Sequence, residues 1–268
     1  MDPSSVQTRH GPVSHLPITS RAPGPAVGGV LTIPISRQRI RLILALGIAF
    51  LAVMHVLGIT ARHVLNRASL YGIIDRFHLD GEANVPALYA TLLLLGCTTV
   101  VGLITAGKRA NRDPFARHWV GLTLILLFMT ADEAAQFHEL LTRPMREVID
   151  SAGGWLRYAW VVPGAALSLL VGLAYLRFLL HLPSATARRF VVSGVLFLGS
   201  AIGMEMVSGW YMTNRDNDFV YFLLARIEEV LEKIGVLIAL DAALAYLAAN
   251  VSVIRLSFSC SAPHSPPV

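Results

Sequence analysis

The chain has 268 residues, of which 54% are hydrophobic and only 15% charged, and its mean hydropathy is +0.60. Soluble domains carry about 25% charged residues, so the composition excludes an ordinary soluble enzyme and points to an all-α integral membrane protein. The formal charge of +5 then belongs to basic loops that orient the chain in a bilayer, not to a nucleic-acid partner.

Residues 1–36 are rich in Pro, Ser, Gly and Thr without apolar periodicity and read as a disordered tail. Arg37, Arg39 and Arg41 precede a first span of roughly Leu42 to Thr60, which carries His55 and reads as a retained span, not a cleaved signal. A polar stretch follows, with a turn signal at Asp80-Gly81 and Pro86 in the first turn of the next helix. Span two is expected over about Ala87 to Ala106, and span three over about His118 to Leu140. Span four covers Tyr158 to Leu180, span five Phe190 to Met212, and span six Tyr221 to Ala248. Residues 250–268 read as a second unstructured tail, which leaves 37–249 as a six-helix transmembrane domain. Cys97 falls in an apolar run and Cys260 in the tail, so no disulfide and no zinc-type spacing is expected.

Six spans put both termini on one side. Lys108, Arg109, Arg112, Arg117, Arg188 and Arg189 join the N-terminal arginines there, whereas Asp2, Asp113 and Asp241 are that side's only acids. The positive-inside rule makes it the inner, cytoplasmic face.

The acids concentrate in the outer halves of the spans. Asp132, Glu133, Gln136, His138 and Glu139 end span three. Glu205 lies in span five, Glu228, Glu229 and Glu232 in span six, and His55 and Glu82 at the same depth. At about 100° per residue, Asp132, Gln136 and Glu139 share one helix face while His138 turns about 120° from it. Glu228 and Glu232 share a face of span six, above Gly235, a point of close helix approach. Glu229 falls between Arg226 and Lys233, the spacing of an intrahelical ion-pair ladder.

Ionisable groups inside a bilayer cost about 2.5 kcal/mol or more each on insertion scales. Several adjacent carboxylates therefore either bind protons or are neutralised by a cation. On the cation branch, Asp132, Glu205, Glu228, Glu232 and His138 are the candidate ligands of zinc, manganese or iron, with Glu139 or Glu133 as general base. Gln136, Glu229, His55 and Glu82 would stand behind them, and a membrane lipid or lipid-linked molecule would be the substrate. On the proton branch, the same residues serve a proton- or cation-coupled transporter or sensor. A third reading is purely structural: the acids end spans at the headgroups or pair with Arg143, Arg146, Arg226 and Lys233. In it, His55 is a satisfied core histidine and the Asp80–Asn84 segment only caps span two.

Three phrases together carry a resemblance: Phe77-His-Leu-Asp-Gly-Glu-Ala-Asn-Val-Pro86, Ala131-Asp-Glu-Ala-Ala-Gln-Phe-His-Glu139 and Glu228-Glu-Val-Leu-Glu-Lys-Ile-Gly235. They resemble a group of multi-pass bacterial membrane proteins of uncharacterised activity. The resemblance implies that Glu82, Asn84, Pro86, Asp132, Glu133, His138, Glu139, Glu228, Glu229 and Glu232 form one recurring pattern. Ceramidase-like membrane hydrolases offer only an analogy for an embedded metal hydrolase, since no span here carries a His-x-x-x-His pair.

Overall fold

The computed structural model describes residues 36–64, 72–79, 83–149, 154–215 and 219–251, and every regular element among them is helical. The helices are α1 (Arg37–Val64), α2 (Ile73–Arg76), α3 (Val85–Ala110), α4 (Ala116–Ala135), α5 (Phe137–Ile149), α6 (Val161–His181), α7 (Ser184–Leu198), α8 (Glu205–Asn214) and α9 (Phe219–Asn250). A π-helical segment, Gly199–Met204, joins α7 to α8 without a loop, and a 3-10 turn spans Gly154–Leu156. Among the described residues, four stretches are long and apolar enough to cross a membrane: Arg37–Ala61, Val85–Ala110, Val161–His181 and Ser184–Asn214. Both expected tails, apart from residues 36 and 250–251, lie outside the described residues.

The central element is α9, which packs against α1, α3 and α7. Its second half puts Ala239, Ala242 and Ala243 at buried positions beside Val236, Leu237 and Leu240, so small and branched side chains interdigitate with three neighbours. Gly235 brings α7 closest. A Cβ there would lie 3.1 Å from the Phe197 nitrogen and the Ser193 carbonyl oxygen, and the Ser193 hydroxyl donates to the Gly235 carbonyl at 2.8 Å. This is the close approach that the sequence places at Gly235.

Hydroxyl pairs join α3 to α4 at two levels: Thr98 with Thr130 at 3.1 Å and Thr105 with Thr123 at 2.8 Å. Such groups also bond to carbonyls of their own helices, so they adhere without leaving a polar atom in hydrocarbon. Trp119 of α4 wedges against Phe178 of α6 and Tyr246 of α9, each at 5.1 Å between ring centroids. Large apolar side chains on α1 and α6, among them Ile43, Leu169 and Leu180, face outward. In water this would be anomalous; against lipid it is expected.

One expectation about elements changes and another holds. The segment from His118 to Leu140 is not one span, because Gln136 adopts a left-handed conformation (φ 53°) and ends α4. The Asn84 side chain caps α3, accepting the Ala87 N–H at 3.0 Å with Pro86 just inside, as the turn-and-cap reading requires. Asp80, Gly81 and Glu82 lie outside the described residues.

Candidate functional site

The break at Gln136 rearranges the span-three acids. Instead of lying about 120° from Asp132, His138 is brought back onto it. Its backbone N–H donates to Asp132 Oδ1 at 2.8 Å, and its ring Nδ1 lies 2.8 Å from Oδ2. Asp132 thereby closes the N-terminus of α5 and pairs with the imidazole of that helix. His138 lies beyond the end of α4. Burial pulls its pKa down, but the bonded Asp132 carboxylate more than reverses this, with Glu205 and Glu139 adding to the rise. The expected face of Asp132, Gln136 and Glu139 does not form: Gln136 is the turn, and Glu139 points outward from α5.

Glu205 begins α8 just after the π-helical segment, a distortion that re-aims side chains and recurs at functional sites. It lies within electrostatic range of His138 and Glu139, and Glu232 lies within range of it. The Trp160 ring is 5.0 Å from that of His138, and its indole N–H is near Glu205 but outside hydrogen-bond geometry.

Beside this group, α9 supplies Glu229, Glu232 and Lys233, and α4 supplies Glu133. Lys233 is 2% exposed and ion-paired with Glu229, four residues earlier, whose carbonyl it also reaches at 3.3 Å. Glu133 and Glu232 are its other electrostatic neighbours. A cavity of about 10 Å³, lined in part by Glu133, Glu232, Lys233, Ala90 and Phe197, lies where α3, α4, α7 and α9 meet; that is about the room one water needs.

The expected ladder on α9 is half correct. Glu229 and Lys233 pair, but Arg226 turns away: its Nε lies 2.6 Å from His55 Nε2 and its Nη2 2.9 Å from His78 Nε2. His55 is also approached by the Leu79 N–H, 3.2 Å from Nδ1, and its ring meets that of His78 edge-on at 5.2 Å. His55 is thus a buried, hydrogen-bonded core histidine that joins α1 to α9 and to the segment before α3. The Asn84 amide donates to the His78 carbonyl at 2.6 Å, which ties this group to the α3 cap. Glu228 is half-buried on α9 and partnered. Pairing by Arg143 or Arg146 lies outside the described side chains.

Among the described residues, no three His, Cys, Asp or Glu side chains are arranged to hold a metal ion. Asp132 is committed to His138, and the ammonium of Lys233 already lies among the carboxylates of α9 and Glu133. A divalent ion there would have to share its place with a fixed positive charge. The metal expectation therefore gains no support from these side chains.

Lys233 and Arg226 are the residues whose importance the sequence reading underestimates. An i, i+4 Glu–Lys pair looks like a solvated ladder wherever it occurs. The available signal was the run that follows Lys233, Ile234-Gly-Val-Leu-Ile-Ala-Leu240, which leaves a lysine no route to water on that side.

No curated protein and no solved structure matches the chain. A family model, Domain of unknown function (DUF8692), matches residues 36–247, from the start of α1 to within a turn of the end of α9, and the chain belongs to that family.

Proposed function

We propose that this protein is a six-span protein of the bacterial inner membrane, with both termini inside, in which Glu133, Glu229, Glu232 and Lys233 exchange protons in transport or sensing. The observation that carries the reading is Lys233: an almost fully buried ammonium paired with Glu229, facing two further carboxylates beside a cavity. One cation cannot balance three carboxylates in a medium of low dielectric constant, and a proton is the smallest charge that restores the balance. Neighbouring Asp132, His138 and Glu205 extend the titratable chain from the cavity to the α4–α5 turn, the arrangement of a proton relay. In this reading α4 and α9 join the four strongly apolar spans to make six.

Reconstitution in liposomes with a trapped pH-sensitive dye tests the proposal. The expected outcome is proton flux above that of empty liposomes, or tryptophan emission that titrates between about pH 5 and 8, with either signal lost in Glu232→Gln. Flux equal to that of empty liposomes, together with emission indifferent to pH, would remove the reading.

A further inference from the structure

About two turns further along α9 lies a second charged group whose balance has the reverse sign. Asp241, whose side chain is 10% exposed, is faced by three guanidinium groups. Arg37 Nε lies 3.2 Å from Oδ1, and Arg41 Nη1 and Arg189 Nη1 lie 3.8 and 3.6 Å from Oδ2. One carboxylate neutralises one of the three. Arg41 and Arg189 stand beyond hydrogen-bond distance, held by charge alone, and their side chains are 49% and 38% exposed.

Their depth is informative. Arg41 and Arg189 lie four and five residues inside the stretches Arg37–Ala61 and Ser184–Asn214, about 6 to 8 Å from their starts at 1.5 Å per residue. That is the headgroup region of a bilayer, and exposed apolar side chains follow on each helix: Leu42 and Leu46 on α1, Val192 and Val195 on α7. We infer that the Arg41–Arg189 pair, anchored by Asp241, binds the phosphate of an anionic phospholipid headgroup whose acyl chains lie along these apolar faces. The planar forks of two guanidiniums match phosphate oxygens in a way ammonium groups do not. A zwitterionic lipid carries the same phosphate, but its own cation opposes the surplus charge of the arginines. The inference stands apart from the carboxylate cluster and does not depend on it.

Native mass spectrometry of the detergent-purified full chain, titrated with phosphatidylglycerol and with phosphatidylcholine, tests it. The expected result is preferential retention of phosphatidylglycerol that weakens with salt. Each exposed guanidinium near a lipid surface contributes about fivefold in affinity, so Arg41→Gln/Arg189→Gln should lose about 25-fold. Arg41→Lys/Arg189→Lys, which keeps the charge but not the fork, should keep the preference for the anionic lipid with weaker retention. This variant and the salt titration carry the test if the glutamine variant does not fold, and retention unchanged in the lysine variant would overturn the guanidinium assignment. Equal retention of the two lipids, or unchanged retention in a folded glutamine variant, would overturn the inference. Competition by millimolar inorganic phosphate to the same extent as by lipid would assign the site to a soluble phosphate and overturn the lipid assignment.

Discussion

Two charged groups on α9, about two turns apart, solve the problem of a buried charge in opposite ways. At Asp241 one carboxylate meets three arginines that reach it from α1 and α7, and the excess is positive and open to the surroundings. About 12 Å away, at 1.5 Å per residue, the lysine meets Glu133, Glu229 and Glu232, and here the excess is negative and mostly enclosed. An open excess of charge can be screened by water, salt or a headgroup. An enclosed one has to be neutralised within the protein. The first arrangement therefore suits the inferred headgroup, and the second suits the proposed binding and release of a proton.

The sharpest way to break the comparison is Lys233→Met. Removing one member of a buried charge pair costs about 3–5 kcal/mol, so thermal unfolding in detergent should show a large loss. Lys233→Met/Glu229→Gln should recover part of it, because the variant also removes the carboxylate left unpaired. Next in size is Gly235→Ala, which lies between the two groups. A methyl group there meets the Phe197 nitrogen and the Ser193 oxygen, and forcing α7 from α9 should cost about 1–3 kcal/mol. Asp241→Asn should cost less, about 1 kcal/mol, since its arginine partners are partly solvated. Its effect should shrink with added salt, whereas that of Lys233→Met should not.

The smallest effect concerns pH. His138 has its pKa raised above the ordinary 6.5 by the Asp132 carboxylate, against the opposing pull of burial. A group whose pKa is higher in the folded state contributes stability in full below its unfolded value, and loses it as pH rises through the folded value. The contact between α5 and the end of α4 should therefore weaken as pH rises above 6.5, by less than about 1 kcal/mol for a side chain one-third exposed. Hydrogen exchange in α5 should report it, and His138→Gln should abolish the pH dependence.

Much of the helical plan was legible because long apolar runs bounded by arginines, Pro86 and short polar loops leave few alternatives. The break at Gln136 was not: glutamine carries no left-handed signal, and the preceding Ala131–Ala135 run favours helix. That one residue decides where His138 goes, so the expected side-chain geometry of span three failed although its composition was read correctly. That Glu133, Glu205 and Glu232 come within electrostatic range of one another or of Lys233 agrees with what helix direction alone suggests. Which cation they meet was not legible, because an i, i+4 pair looks the same on a solvated face and in a core. Similarly, the turn of Arg226 towards His55 depends on a contact 171 residues away along the chain, which no local pattern encodes.

Infrared difference spectroscopy of the full-length protein in lipid, between acidic and alkaline buffer, tests the central claim most directly. The account predicts a carboxylic-acid C=O band that appears on acidification, is lost in Glu232→Gln or Glu133→Gln, shifts in Lys233→Met, and is unchanged in Asp241→Asn. A spectrum unaltered by the two glutamine substitutions, or a band that disappears in Asp241→Asn, would contradict it.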